Sequence, residues 1–275
     1  MLESIALWTI LFDIAWCCKD VLKLNIYSFN YNTNTNFYNI CHSVTQQPTQ
    51  KNETQMMAAI TPEVKLMFIC SPGNPTSKAI PTSVVEDIAK SDQYKGLIVV
   101  DEAYVDFSTK GSAVSLVNKY PNIVILQTLS KAFGLAGIRC GFCIGPPDVI
   151  QLMNNVKAPY NVNALTSEVA INAFNCTEVL DKHVREVLQQ RTEVMSKLEE
   201  LPFVTEVFPS DANFVLFRMQ SKALETYKQM ADNGVVTRYR GTEIHCENCI
   251  RVTIGTPEEN KQFLDLLVKT YESLK

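Results

Sequence analysis

No glycine precedes Gly73, although the 275-residue chain contains ten. The early part of the sequence therefore has no Gly-rich turn at which backbone could close around a phosphate at a helix N-terminus. Further on, no G-x-G-x-x-G follows a strand-like run. This excludes the Rossmann dinucleotide fingerprint, even though the apolar runs themselves would suit such a fold. A basic surplus is missing too: 25 Lys and Arg stand against 29 Asp and Glu, a net charge of -4. That balance offers no broad surface to nucleic acid and points to small-molecule partners. A secretory or membrane signal is also lacking. The apolar run Ile5 to Phe12 follows Glu3, where a signal peptide carries basic charge, and Asp13 interrupts it before it could span a bilayer. The expectation is a cytoplasmic protein with no membrane partner, in which the sequons at Asn52 and Asn175 carry no weight.

Nine cysteines are present but scattered, several of them in apolar, strand-like runs, as reduced and buried thiols are. His245-Cys246-Glu247-Asn248-Cys249 has the C-x-x-C spacing of a zinc half-site. It lacks the second C-x-x-C or distant His pair that would complete four ligands, so no metal is expected.

With 46% apolar and 20% charged residues, the chain can bury a core of one large or two modest domains. Residues 1 to 55 read as an atypical tract, poorly ordered or replaced: Asn, Tyr and Thr crowd Tyr27 to Asn39, and Thr45 to Gln55 is polar. Beyond the first apolar run no periodic element is evident there. From Lys65 the text becomes regular. Leu66 to Cys70, Leu97 to Val100 and Ile123 to Leu126 are short apolar runs that read as buried strands, each ending in polar residues, with a helix over Thr82 to Lys90. Cys140 to Gly145 is a further strand, followed by helical patterning over Pro147 to Asn155, Leu165 to Phe174 and Val179 to Leu201. The last third alternates again. Strands are expected at Val204 to Phe208, Asn213 to Phe217, Val235 to Thr237 and Ile250 to Ile254, with helices at Lys222 to Asp232 and Glu258 to Leu274. The expected organisation is a partial large domain over 56–160, connecting helices over 161–200 and a small α+β domain over 201–275.

Polar residues at the C-terminal ends of such strands are where ligands of open α/β sheets bind. In Thr128-Leu129-Ser130-Lys131, a hydroxyl precedes a lysine, and Arg139 follows eight residues later across a Gly-containing turn. Ser130 and Arg139 suit a phosphate, and Lys131 suits an imine with a carbonyl cofactor. Asp101 ends an apolar strand, where a buried carboxylate would keep a pyridine nitrogen protonated. Tyr104 and Asn74 would hydrogen-bond a ring oxygen. Taken singly, each has a bland reading: an Asp at a strand end caps helices, a Gly-Asn-Pro run is a turn, and a Ser-Lys pair is a surface accident. Their joint occurrence in this order is what carries the chemistry.

SPGNPT (71–76), VVDEAYVDF (99–107) and TLSKAFGLAGIR (128–139) resemble the signature segments of the fold-type I pyridoxal-phosphate aminotransferases, and in particular the histidinol-phosphate aminotransferase branch. The likeness runs from about Gln55 to the C-terminus. It implies a PLP-dependent transferase-like α/β fold of type I, with an incomplete large domain of mostly parallel sheet and a small α+β C-terminal domain. It implies pyridoxal 5'-phosphate as cofactor, with Lys131 as its Schiff-base lysine. Asp101 would be its pyridine partner, Tyr104 and Asn74 ligands of its 3′ oxygen, and Ser130 and Arg139 its phosphate ligands.

GVVTRYRG (234–241) and CIRVTIGT (249–256) look like the family's two substrate-arginine segments. Arg251 would take the α-carboxylate of glutamate, and Asn74 would also bind substrate. Arg238 would meet the distal carboxylate or the phosphate of histidinol phosphate, and Arg240 reads as a surface or supporting residue. Lys157 to Asn161 resembles the segment leading into the small domain. The family implies a homodimer. It also implies roughly a hundred residues ahead of the SPGNPT strand, including a Gly-rich helix start for the phosphate. Here the segment ahead is shorter, as in a shortened paralogue or an incomplete coding sequence. Rival readings are an aromatic aminotransferase or phospho-amino-acid decarboxylase of the same superfamily, and a degenerate chain that binds cofactor weakly or only associates with a full-length homologue.

Overall fold

Three apolar runs form the middle of the larger sheet because both of their faces are covered, which is why they read as continuous hydrophobic stretches. They are β3 (Val64–Cys70), β4 (Leu97–Asp101) and β5 (Ile123–Thr128), paired in parallel in that order. The computed structural model describes residues 64–274, together with Met57, Ile60, Thr61 and two short strands, β1 (Ile5–Trp8) and β2 (Asn25–Phe29). The polar stretch Thr45 to Gln55, most of the Asn-rich tract, the Asn52 sequon and Cys17, Cys18 and Cys41 lie outside the described residues.

The sheet order is β1-β6-β5-β4-β3-β2, with β6 spanning Gly141–Ile144. β2 to β5 are parallel, whereas β6 runs antiparallel to both β5 and β1. A mostly parallel sheet is as expected. The edge strand β2 falls in a tract where the sequence suggests no element. Pairing on one side only, it does not need the unbroken apolar run that marks a central strand.

One face of this sheet packs Met67, Ile69, Ile98, Val100, Ile123 and Ile125 against Val85 and Ile88 of α1 (Thr82–Lys90). The opposite face packs Val99, Val124, Leu126 and Cys143 around Ile150 of α2 (Pro147–Val156). Helices α3 (Ala164–Phe174) and α4 (Thr177–Glu199) lead to a four-stranded antiparallel sheet ordered β7-β8-β10-β9. Its strands are β7 (Val204–Val207), β8 (Phe214–Met219), β9 (Arg238–Tyr239) and β10 (Cys249–Thr253). α4, α5 (Ala223–Asp232) and α6 (Pro257–Ser273) cover one face through Leu198, Met230, Phe263 and Leu267. A reciprocal capping box between Thr256 and Glu259 fixes the start of α6.

The strand expected at Val235 to Thr237 lies three residues later. Gly234 takes φ 87° to end α5, the Val235 amide bonds back to Met230, and β10 offers partners only to Arg238 and Tyr239.

The two sheets are tied close to the SPGNPT turn. The amide of Asp211, just before β8, donates to the Ser77 carbonyl (2.7 Å), and its Oδ2 accepts from the Ala79 amide (2.9 Å) and Lys110 Nζ (3.0 Å). Arg191 of α4 donates to the carbonyls of Ala212 (2.8 Å) and Phe107 (3.3 Å). Ser77 is wholly buried with φ 59°, a backbone conformation that non-glycine residues seldom adopt.

Leu267 is fully enclosed between α6 and the small sheet. Leu267→Ala is expected to cost about 2–5 kcal/mol, read as a lower midpoint in chemical denaturation with an unchanged slope.

Candidate active site

The parallel register sets Cys70 beside Asp101 and Asp101 beside Leu126, so the loops after β3, β4 and β5 open at one edge of the sheet. That edge carries Asn74, Asp101, Tyr104, Ser130 and Lys131, and the small sheet brings Arg240 and Arg251 onto Asn74. Asn74, Tyr104, Lys131 and Arg251 are thus joined by direct or successive contacts, and Asp101 feels the charge of Lys131.

Asp101 accepts the Ala103 amide at 3.0 Å. Burial pushes its carboxyl above the usual range. The Ala103 hydrogen bond opposes this, neighbouring Glu102 adds to it, and the positive charge of Lys131 opposes it again. Glu102 itself points away into a polar knot, accepting from the Ala113 amide (2.6 Å), Ser112 Oγ (2.5 Å) and Gln127 Nε2 (2.9 Å). It therefore anchors the loop after β4.

Lys131 is exposed, with Nζ 5.3 Å from the centroid of the Tyr104 ring. A compact turn presents it: the Gly134 amide bonds to the Lys131 carbonyl, the Leu135 amide to the Leu129 carbonyl, and Gly134 adopts φ 68°. Thr128 Oγ1 donates to Ser130 Oγ (3.0 Å) and accepts the Ser130 amide (3.1 Å), which fixes the hydroxyl next to the lysine. Arg139 is exposed, with φ 53° and its guanidinium on the Ala136 carbonyl. The carbonyl of the next residue, Cys140, accepts from the Leu129 amide and Thr128 Oγ1, which keeps Arg139 close to the Ser130 turn.

The ring of Tyr104 meets Phe214 edge-on at 5.1 Å, and the guanidinium of Arg251 lies 4.8 Å from the Phe214 centroid. Arg251 Nη1 donates to Asn74 Oδ1 at 2.5 Å, and Arg240 Nη2 reaches the same oxygen at 3.4 Å. With Oδ1 taken, Nδ2 remains as the donor of Asn74. Arg238 is exposed and stands directly opposite Arg251 in the β9–β10 ladder, so both leave the sheet on the same face. Burial and the charge of Arg240 pull the pKa of Arg251 down, and Arg238 adds to this, while Tyr104 and Glu243 oppose it.

Of the two readings of Arg240, surface or supporting residue, the contacts favour the second. Its side chain is 23% exposed and its guanidinium spans Glu243 and Asn74. Glu243 and Phe214 are part of the site but were not picked out from the sequence. An Arg and a Glu three residues apart in a loop give a weak hint of the first, and nothing in an apolar strand distinguishes the second. Among the described residues no group of three or more His, Cys, Asp or Glu side chains is gathered as metal ligands would be, and the six cysteines are free thiols. Cys246 and Cys249 are buried with Phe208 and Leu216.

The chain matches the histidinol-phosphate aminotransferase of Clostridium acetobutylicum with a TM-score of 0.87 and 21% identity, covering 96% of this chain and 82% of that one. It also matches that of Sinorhizobium meliloti, solved in complex with pyridoxal-5'-phosphate, with a TM-score of 0.84 and 20% identity over 99% of this chain and 78% of that one. The fold is therefore the α/β fold of type I PLP-dependent transferases, as the sequence motifs led one to expect. Residues 21–267 match the family model for aminotransferase class I and II, and the chain belongs to that family.

Relatives named histidinol-phosphate aminotransferase include that of Flavobacterium johnsoniae, 42% identical over 77% of this chain and 60% of its own length. The relative of that name from Schizosaccharomyces pombe is 40% identical over 75% of this chain and 57% of its own length. The chain spans about three fifths of the length of the curated relatives it matches. Among the described residues no helix is long and apolar enough to cross a membrane.

Because burial raises the folded-state pKa of Asp101, its influence on stability has a definite sign. The protonated form is favoured by folding, so this contribution is full below the ordinary carboxylate pKa and is lost as pH rises through the raised value. Asp101→Asn is therefore expected to raise the thermal midpoint of the ligand-free protein at pH 8. At about pH 3.5, below the ordinary Asp value of ~3.9, it should leave the midpoint unchanged.

Proposed function

We propose that this chain carries the lysine face and the anion site of a pyridoxal-phosphate-dependent histidinol-phosphate aminotransferase. The reaction interconverts L-histidinol phosphate and 2-oxoglutarate with imidazole-acetol phosphate and L-glutamate. The observation that carries the reading is the Arg251–Asn74 contact, which brings an arginine of the small sheet into the loop after β3. That loop shares its edge of the larger sheet with Asp101, Tyr104 and Lys131. The relatives' names agree with it.

The residues present fit the cofactor. Asp101 is a partly buried carboxyl with a single hydrogen-bond donor, the Ala103 amide, among the bonds described, and suits a protonated ring nitrogen. Tyr104 and the Nδ2 of Asn74 suit the ring oxygen, Ser130 and Arg139 the phosphate, and Lys131 the carbonyl carbon. Pyridoxal phosphate, when bound, supplies an electron sink for the bonds to the substrate's α-carbon.

The chain's own residues do the rest. Arg251 clamps the α-carboxylate of glutamate with a bidentate fork, and this sets which bond to the α-carbon faces Lys131. Arg238, on the same face of the ladder, meets the distal carboxylate of glutamate or the phosphate of histidinol phosphate. With the cofactor bound, the amine of Lys131 would take the proton from the substrate's α-carbon as general base and, as the ammonium, give it to the cofactor's C4′ carbon as general acid. The positive charge of the lysine also opposes protonation of Asp101.

A homodimer belongs to the same reading. Leu152, Val156, Tyr160, Leu165, Ile171 and Phe174, on α2, α3 and the turn between them, are 44–96% exposed, more apolar side chain than a free surface normally carries on neighbouring elements. Phe174 packs on Phe133 and Phe142, so this face adjoins the Lys131 turn. A cytoplasmic setting is in keeping with the six free thiols among the described residues.

Lys131→Ala is expected to lose the visible absorbance that the protein gains on adding cofactor and to lose transamination altogether; unchanged absorbance would overturn the assignment. Half-reactions with glutamate, histidinol phosphate, phenylalanine and phosphothreonine separate this reaction from those of an aromatic aminotransferase or a phospho-amino-acid decarboxylase. Ile171→Lys combined with Phe174→Asp should shift the protein from dimer to monomer in sedimentation.

A further inference from the structure

The Arg240–Glu243 pair is not used by the mechanism above. Arg240 Nη1 donates to Glu243 Oε1 at 2.7 Å, and its Nη2 lies 3.4 Å from Asn74 Oδ1, the oxygen that Arg251 also engages. Glu243 is 91% buried; its Oε1 is engaged by Arg240, and its Oε2 has no hydrogen-bond partner. The backbone holds the pair in place. The Arg240 amide bonds to the Cys249 carbonyl, the Glu243 amide to the Arg240 carbonyl, and the Cys246 amide to the Glu243 carbonyl.

Two guanidinium groups meeting on one carbonyl oxygen repel each other, and the depressed pKa of Arg251 has Arg240 as its first electrostatic cause. Burial raises the pKa of the Glu243 carboxyl, and the charge and hydrogen bond of Arg240, with the charge of Arg251, oppose this. The Nε atoms of Arg240 and Arg251 are buried without an acceptor, leaving two donors beside Asn74 unused.

We infer that Glu243 is a positioning residue for the substrate-anion site. Acting through Arg240, it holds a second guanidinium against Asn74, so that Asn74 keeps its oxygen turned to the arginines and Arg251 keeps the orientation that grips a carboxylate or phosphate. The inference rests on the anion-binding role proposed for Arg251. Glu243 touches neither substrate nor cofactor in this scheme. Its loss therefore shows as weaker anion binding, with the chemical step intact and cofactor still bound.

The test is a double-mutant cycle of Glu243→Gln and Arg240→Met in the full chain, with Glu243→Asp as the conservative variant. It is read by cofactor absorbance, by KM and kcat for glutamate, and by the rise in thermal midpoint that inorganic phosphate causes. Each single variant should keep the absorbance and raise KM about tenfold, the effect of one lost charge-assisted hydrogen bond, with kcat within about threefold. Each should also lose most of the phosphate-induced rise. Glu243→Asp should restore part of both effects, and the double variant should be no worse than Arg240→Met alone.

Additive effects of the two substitutions, an unchanged KM with an undiminished phosphate response, or no phosphate response in the unsubstituted protein would each overturn the inference. If the unsubstituted protein does not turn over glutamate but the phosphate response is lost in Glu243→Gln without additivity, the proposed reaction fails and the positioning role stands. Should Glu243→Gln fold poorly, Glu243→Asp and Arg240→Met still give the KM and phosphate readings. Unchanged values in both then count against the inference.

Discussion

The side-chain oxygen of Asn74 is the point at which two separately built units share one electrostatic environment. The larger sheet supplies it from a turn closed by the Gly73 amide on the Lys78 carbonyl and the Ser77 amide on the Gly73 carbonyl. The smaller sheet answers with Arg251 and Arg240. Hydrogen bonds to charged donors are stronger than neutral ones, and this one sits where burial removes competing water. Without it, the strand-end loops carrying Asp101 and Lys131 and the ladder carrying Arg238 would be adjacent surfaces rather than one cleft.

Around that oxygen the charges are arranged in sequence. Lys131 lies over the face of Tyr104, Tyr104 meets Phe214 edge-on, and Phe214 lies against Arg251. Two cations are thus kept apart by two aromatic rings, each ring favouring the cation near it while excluding water between them. Asp101 is partly buried with its carboxyl pKa raised, and the charge of Lys131 opposes that rise. If Asp101 holds a protonated ring nitrogen as proposed, stability and function pull in opposite directions at this residue.

The strands β3, β4 and β5 were legible because double-sided burial writes them as unbroken apolar runs, and their polar ends marked the cleft directly. Helix α6 was legible from its amphipathic pattern, and the Thr256–Glu259 cap that starts it was not picked out. What the text could not carry is partnership across the chain. Arg251 and Asn74 are 177 residues apart, and nothing local in GVVTRYRG says that Arg240 turns inward as well as Arg251. The edge strand β2 escaped for a related reason, since a strand paired on one side needs no strong pattern of its own. The short β9 was misjudged by three residues because its position is set by the reach of β10, not by the valines that precede it.

The bonds from Asp211 to Ser77 and Ala79 fasten the units only a few residues from Asn74 in the chain. When two bodies rock about a fastening, displacement grows with distance from it. Arg251 and Asn74 work on a short lever arm, whereas the outer ends of α5 and α6 work on a long one. Any rocking of the small unit would thus displace its periphery most, and the Arg251–Asn74 contact least.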